Sequence, residues 1–235
     1  LNSQRVLELS RSQLGQSITR LASGVKISGA SDGAAELALS EAIRSDVRAL
    51  QQGSRNLSDG LSLIRTAEAA LNDLSGTLIR LRELASLAAN GTVGATERQT
   101  IDLEYQNLLA ELDRISASTE FRDTVLLDGT LADSAAEHLV LQVGVDSSAD
   151  NQIDLNESID LTEVSRSSLN LTGSSVTSQS GAFLALNDLT AAINTLIEVR
   201  TRAGSTQIRL TSALNNLNAQ VENLTGAVST IRDAD

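Results

Sequence analysis

The sequence predicts a mainly α-helical fold, an elongated rod of antiparallel coiled-coil helices with a small β-hairpin region in the middle of the chain. Apolar residues recur at alternating spacings of three and four over long stretches near both ends, which is typical of packed helices. The 235 residues include no proline that would interrupt such helices. With two Phe, one Tyr and no Trp, Met or Cys, the chain lacks the bulky side chains that usually fill a globular core.

The C-terminal helix has the longest apolar pattern and is predicted at about residues 182–232. Its middle is weak because Arg200, Ala203, Gly204 and Gln207 replace leucines, so packing on a neighbouring helix must stabilise it. The predicted contact face consists of Leu186, Leu189, Ile193, Leu196, Arg200, Ala203, Gln207, Leu210, Leu214, Leu217, Val221, Leu224, Val228 and Ile231.

A second long helix is predicted at about residues 31–90. Ser31 or Asp32 can cap its start, and "NGTVG" at 90–94 ends it because Asn-Gly favours a turn. Its apolar face slips in phase near Ala67, which implies a local change in supercoiling. That face consists of Ile43, Val47, Leu50, Ser54, Leu57, Leu61, Ile64, Ala67, Leu71, Leu74, Leu78, Leu81, Ala85 and Ala88.

Two shorter helices complete the predicted rod. One spans about residues 96–118 and opens with "TERQ", in which Thr96 and Gln99 resemble a capping box. Its apolar face consists of Ile101, Tyr105, Leu108, Leu112 and Ile115. The other lies near the N-terminus, where Leu14, Ile18, Leu21 and Val25 share a face.

The β or irregular region is predicted at about residues 121–180. In "HLVLQVGV" the apolar period changes to two, so one strand face carries Leu139, Leu141, Val143 and Val145. After the polar turn "DSSADNQ", Ile153 and Leu155 return as the antiparallel partner of a hairpin. Residues 162–181 are rich in Ser, Thr, Asn and Gly, and we predict that they form a connector rather than core.

The composition leaves little material for catalysis or metal binding. There is no cysteine, and the one histidine, His138, is expected to be solvated or structural because it lies opposite Leu139 and Leu141 on the strand. Nucleotide-binding, nucleophile-elbow and zinc-protease motifs are absent from the sequence. The sequence therefore predicts no enzyme, no catalytic residue and no cofactor. An acidic cluster invites a calcium site but lacks EF-hand spacing, so an exposed turn and no metal are expected at Asp146, Asp150, Asp154 and Glu157.

The net charge of −12 argues against nucleic acid and against anionic membranes as partners, because both would repel the chain. No apolar run approaches the roughly 18 residues of a membrane span, and no signal-peptide core opens the sequence. The charge favours solubility instead.

The stretch "LIRLRELASLAANGT" at 78–92 carries a second apolar flank. At about 100° per residue, Leu81 and Ala85 belong to the predicted core face, whereas Arg80, Leu84 and Leu87 lie together beside it. A neighbouring helix can cover this flank, or the flank can be a contact patch, since arginine beside apolar side chains is a frequent composition of interface hot spots. We expect Arg80 and Leu84 to point outward.

Five stretches together resemble bacterial flagellin, the subunit of the flagellar filament, and they occur in the order found in that family. They are "LGQSITRLASGVKISGASDGAAELAL" from Leu14, "GSRNLSDGLSLIRTAEAALNDL" from Gly53, "LIRLRELASLAANGT" from Leu78, "ELDRISASTEFRDTVLLDG" from Glu111 and the final "VENLTGAVSTIRDAD". The chain departs from the family in having Gly33 after Asp32 and no large outer domains between residues 130 and 180.

The resemblance implies a structural protein that self-assembles into an extracellular filament for motility and is exported without a cleaved signal peptide. Residues 1–30 then correspond to part of the inner domain D0, and residues 31–235 to the D1 rod. Junction and cap proteins and an export chaperone are implied as further partners. Because flagellins extend beyond both ends of this sequence, we expect the 235-residue chain to be monomeric and the chaperone to bind the missing C-terminal segment.

The resemblance also implies a functional surface. In flagellins the stretch at 78–92 is where subunits meet axially and where the flagellin-sensing Toll-like receptor of vertebrate hosts binds. Carried over by position, the receptor-facing residues are Arg80, Leu84 and Glu104, and Leu87 joins them in the patch. Two alternatives remain open: a hook-filament junction protein, which shares the end motifs, and a secreted coiled-coil adhesin or effector.

Overall fold

The computed structural model describes residues 2–27, 29 and 31–233, so the segment at 23–33 and the C-terminal end are described only in part. The helices are α1 (Asn2–Ser23), α2 (Ala34–Ala89), α3 (Ala95–Ser118), the short α4 (Leu155–Ile159) and α5 (Gln179–Arg232). The strands are β1 (Glu120–Phe121), β2 (Thr124–Val125), β3 (Val140–Gln142) and β4 (Gln152–Asp154). The predicted fold class is confirmed: long helices dominate, and the strands form two small antiparallel pairs.

The backbone of the rod is the antiparallel pair of α2 and α5, which have 56 and 54 residues. At a rise of about 1.5 Å per residue, each is about 80 Å long. Three contacts fix their direction. Arg232 Nη1 lies 2.7 Å from Glu41 Oε1, Ser54 Oγ donates to Asn218 Oδ1 at 2.8 Å, and Gln179 Nε2 donates to the Ala89 carbonyl at 3.0 Å.

The core between these helices follows the predicted face of α2 closely. From Leu50 onward, nearly every predicted position is buried, through the phase slip at Ala67 and on to Ala88. On α5 one predicted row is buried from Leu189 to Leu217, whereas apolar members of the other, Leu186, Ile193, Leu214 and Val221, are partly buried and pack against the core. Leu189, Leu196, Ala203, Leu210 and Leu217 are buried as expected.

The second buried row of α5 is displaced by one residue from the predicted one. Val199 and Thr206 are buried where Arg200 and Gln207 were expected. The helix is rotated because it also packs against the middle of the chain: Thr206 Oγ1 donates to the Ser158 carbonyl at 2.8 Å, and Arg202 Nε donates to the Ile159 carbonyl at 3.2 Å. The weak middle of α5 is thus stabilised by α4.

Two predicted helix caps are wrong. The N-cap of α2 is Gly33, with no side-chain cap, and Asp32 instead lies 3.7 Å from Arg20. The helix α3 begins one residue earlier than expected, and the Gly94 N–H donates to Glu97 Oε2 at 2.8 Å. Glu97 rather than Gln99 therefore occupies the acceptor position of the cap.

The predicted hairpin is confirmed, with Leu141 opposite Ile153. It lies across α2, where Asn56 Nδ2 donates to the Gln142 carbonyl at 2.8 Å. Gly53 permits this approach, since a Cβ at that position would lie 2.5 Å from the Val143 carbonyl oxygen. The single-face prediction holds only for the middle of the strand, because Leu141 and Val143 pack against the core while Leu139 and Val145 are 38% and 49% exposed.

The expectation that residues 162–181 form a mere connector is wrong. Val164, Leu169, Leu171 and Val176 are each at most 5% exposed and belong to the main core. The polar residues between them satisfy the backbone of the turns, as where the Val176 N–H donates to Asp102 Oδ1 at 2.7 Å. This segment covers α3, which explains how a chain poor in aromatic residues closes its core.

One helix of the described residues, α5, contains an 18-residue window with a mean hydropathy of 1.3, which is long and apolar enough to cross a membrane by length and composition. One third of that window is buried inside the protein. Since α5 packs along α2, its apolar residues are accounted for in part by the core of the rod.

Candidate functional site

The predicted patch centres on an exposed ion-pair network that joins α2 to α3. The Arg80 guanidinium donates to Glu104 Oε1 from Nη2 at 2.8 Å and from Nε at 3.1 Å, and its Nη1 donates to Glu83 Oε2 at 3.0 Å. The side chains of Arg80 and Glu104 are 50% and 49% exposed. The hydrogen bond to Glu104, followed by that to Glu83, raises the pKa of Arg80 above its ordinary value. The network presents fixed charges to solvent.

Leu87 and Leu84 differ, although they lie three residues apart on α2. Leu87 is 51% exposed and belongs to the outer surface with Arg80. Leu84 is only 3% exposed and belongs to the main core, so the expectation that it points outward is wrong. Leu84 belongs to the core that α2 shares with the elements packed against it, so this flank of α2 is interior as well as the predicted core face. We call the exposed group of Arg80, Glu83, Leu87 and Glu104 the Arg80 surface.

His138 is held between two acceptors in a structural position. Its Nδ1 lies 2.6 Å from Asp154 Oδ2 and its Nε2 lies 3.1 Å from the Asp133 carbonyl. The hydrogen bond to Asp154 is the main cause that raises the pKa of His138. No nucleophile is among these two partners, and the histidine links the start of β3 to the end of β4. This is the structural role predicted for it.

The acidic residues of the polar turn bind within the protein itself. Asp146 accepts hydrogen bonds from Ser148 Oγ and Asn151 Nδ2, both at 2.6 Å, and from the Ser148 N–H at 2.9 Å. The Ser148 hydrogen bonds, with that from Asn151, lower the pKa of Asp146 to about 2. Asp154 caps α4 by accepting from the Glu157 N–H at 3.2 Å. In the described part of the chain, no group of three or more His, Cys, Asp or Glu side chains is arranged to hold a metal ion.

Sequence reasoning missed a set of apolar side chains that the rod leaves on its outside. On α5 they lie off the predicted contact face, and on α3 Leu103 directly precedes Glu104. They are more exposed than is usual for their size: Leu103 68%, Phe183 53%, Leu184 65%, Ile197 53% and Ile208 70%. Their departure from the three-and-four spacing was the available signal.

A long helical rod with large apolar side chains along its surface defines a structural subunit that packs against other molecules. Comparisons with known proteins give the family. The model of the bacterial flagellin N-terminal helical region matches residues 1–132, and that of the bacterial flagellin C-terminal helical region matches residues 186–235. The chain belongs to the bacterial flagellin family.

Relatives and solved structures agree with this assignment. A flagellin of Halalkalibacterium halodurans is 35% identical over 235 residues, covering 100% of this chain and 83% of the relative. A flagellin of Bacillus subtilis is 36% identical, covering 100% and 85%. The crystal structure of Bacillus cereus flagellin matches with a TM-score of 0.58 at 33% identity, covering 74% of this chain and 94% of that one. The protein is thus a structural subunit of the extracellular flagellar filament, which self-assembles as a homopolymer, and it is not an enzyme.

Proposed function

We propose that the Arg80 surface is an axial contact between subunits of the filament. The observation that carries the proposal is the exposed network of Arg80, Glu83 and Glu104 beside the half-exposed Leu87. An arginine whose donors are already aligned loses little conformational freedom on binding, and an adjacent leucine supplies apolar area, a combination common in interface hot spots.

The position of the surface suits a contact that repeats along the filament. It lies near the α2–α3 turn, at one end of α2, so a neighbour stacked along the rod meets it with a different part of its own surface. Such heterologous contacts give an open filament rather than a closed dimer. Junction and cap proteins would have to match the same faces at the two ends of the filament.

We also propose that this surface is the ligand for the flagellin-sensing Toll-like receptor of vertebrate hosts, as the family resemblance implies. Arg80, Leu87 and Glu104 are the residues available for direct contact. Leu84, which the resemblance places among the receptor-facing residues, is 3% exposed and contributes through its packing in the core.

The experiment is a matched pair of arginine substitutions on α2. Arg80→Ala removes the network, whereas Arg65→Ala removes an exposed arginine about four turns away on the same helix. With the receptor ectodomain, we expect Arg80→Ala to weaken binding about tenfold, or about 1.4 kcal/mol, because a charged hydrogen-bonded anchor is lost. Arg65→Ala should leave the affinity unchanged.

Swimming of cells that express each variant tests the axial contact separately. Arg80→Ala should shorten the filaments and slow swimming relative to Arg65→Ala, with the same helical circular dichroism for both. Equal filament lengths in the two strains would refute the axial role, and equal receptor affinities would refute the receptor role.

The division into domains belongs to the same proposal. We assign α1 to the inner domain D0, because residues 3–23 are exposed along the helix apart from the partly buried Arg20, as expected of a helix that packs only in the filament. The helices α2, α3 and α5, with the strands beside them, form the D1 rod. Export without a cleaved signal peptide remains a prediction of the family resemblance.

A further inference from the structure

The turn between β1 and β2 has an unfavourable backbone. Phe121 pairs with Thr124, so Arg122 and Asp123 form a two-residue loop, and their φ angles are 48° and 66°. This is the turn type for which Asn-Gly is strongly preferred, because both positions need left-handed conformations that most side chains disfavour. Strain of this kind often accompanies a functional requirement for the residues that bear it.

The contacts that Arg122 makes contribute too little stability to account for its strained backbone. Its Nη1 and Nη2 bind Asp59 Oδ2 and Oδ1 at 2.8 and 2.9 Å, and its guanidinium carbon lies 5.4 Å from the centroid of the Phe121 ring. Both partners of the ion pair are exposed, at 68% and 47%, and such pairs contribute little to folding. Arg122 and Asp59 hold the β1–β2 turn against α2 in one geometry.

That geometry forms one wall of a groove. A cavity of about 320 Å³ lies between the β1–β2 turn, α2 and β3. Its apolar lining includes Leu63 from α2, Phe121 from β1 and Leu141 from β3, and Val140 at its lip is 44% exposed. Because Leu139 and Val143 direct their backbone groups to β4, those of Val140 point away from β4. The groove combines an apolar floor, the edge of β3 at Val140 and an arginine at its mouth.

We propose that this groove receives an apolar side chain from a second copy of the chain in the filament. A homopolymer with heterologous contacts needs a concave site and a protruding complement on the same molecule. The described chain has both, since Phe183, Leu184 and Ile208 on α5 are more than half exposed.

Charge at the groove is compatible with a second copy as the occupant. Copies with a net charge of −12 repel one another overall, but the Arg122–Asp59 pair leaves the mouth of the groove neutral, so the groove itself adds no repulsion. The groove lies about 20 residues, or about 30 Å, along α2 from Arg80. It is therefore a second surface, and it does not depend on the Arg80 surface.

The first test separates contact from stability. In Arg122→Asn combined with Asp123→Gly, the turn receives its preferred residues while the arginine is removed. We expect the thermal midpoint of the purified protein to stay the same or rise, and filaments on cells that express it in place of the natural subunit to be at least tenfold shorter. Receptor binding should be unchanged, which distinguishes this surface from the Arg80 surface. Filaments of normal length would overturn the proposal.

A second pair of variants leaves the β1–β2 turn unchanged and so tests the groove without any effect of that turn on folding. Val140→Lys places a charge at the lip of the groove, and Val145→Lys places the same charge at a similarly exposed valine outside it. Only Val140→Lys should shorten the filaments, with equal amounts of secreted subunit in both strains. Equal filament lengths would overturn the proposal, whatever the midpoint of the turn variant.

Discussion

At the scale of single residues, Leu84 contributes to the stability of the fold, whereas Leu87 is available for contact with other molecules. They have the same side chain and lie on the same helix, but they are 3% and 51% exposed. A leucine in a packed core leaves a cavity when it is truncated, whereas an exposed leucine leaves none. The role of each therefore follows from its environment and not from its place in the motif.

This difference gives a matched prediction. Leu84→Ala should lower the free energy of unfolding by about 3 kcal/mol. Leu87→Ala should change it by less than about 0.5 kcal/mol while weakening the contacts made by the Arg80 surface. Chemical denaturation followed by circular dichroism measures both. Similar losses of stability in the two variants would contradict the assignment of Leu84 to the core.

His138 provides a pH-dependent contact. Because its pKa is raised in the folded protein, its contribution to stability is complete below the ordinary histidine pKa of 6.5 and is lost as the pH rises through the folded value. Both ring nitrogens face acceptors, which only the protonated ring satisfies in full. No other histidine or cysteine in the chain titrates in this range.

We expect hydrogen exchange of the β3–β4 hairpin to become faster as the pH rises from about 6 to about 9, after correction for the intrinsic rate. In His138→Gln this extra acceleration should disappear. Its persistence in the variant would show that another group causes it. The imidazole resonances of His138 report the folded pKa directly.

At the scale of elements, glycines in α2 have opposite roles. Gly53 lies under the backbone of β3, where a Cβ would meet the Val143 carbonyl oxygen at 2.5 Å, whereas nothing lies within 4 Å of a Cβ at Gly76. Glycine weakens a helix by about 1 kcal/mol relative to alanine, so it persists at a cost. At Gly53 that cost permits the hairpin to dock.

Alanine at each glycine tests this. Gly76→Ala should raise the free energy of unfolding by up to about 1 kcal/mol. Gly53→Ala should lower it by about 1–3 kcal/mol, because the Val143 backbone cannot move away from the new methyl group as a side chain could. Thermal unfolding measures both, and stabilisation by Gly53→Ala would refute the close approach of β3.

At the scale of the whole molecule, α1 lies apart from the packed core. Its large apolar residues Val6, Leu7, Leu9, Leu14, Ile18 and Leu21 are all more than half exposed. An isolated helix of 22 residues is marginally stable in water, since most helical stability in proteins comes from packing. Packing against other subunits would therefore stabilise α1.

For the dilute, unpolymerised protein, we expect amide hydrogens of α1 to exchange at least a hundredfold faster than those in the middle of α2. Peptide-resolved mass spectrometry measures both helices in one experiment. Comparable protection would contradict the isolation of α1. In assembled filaments, α1 should become protected.

The sequence by itself determined the architecture of this rod. The alternating three-and-four spacing located α2, α3 and α5 and identified buried rows from Leu50 to Ala88, because that periodicity places residues on one face of any helix. The change to period two located the hairpin for the same reason. The family motifs placed Arg80 and Glu104 in one patch, and they are in contact.

Only the tertiary structure decided what covers each face. Leu84 became interior because it packs into the main core, and Val199 and Thr206 replaced Arg200 and Gln207 among the buried residues where α5 also contacts α4. Four residues of a polar segment joined the core: Val164, Leu169, Leu171 and Val176. Local spacing specifies which residues share a face, but burial depends on distant segments, and those contacts also created the groove beside Arg122.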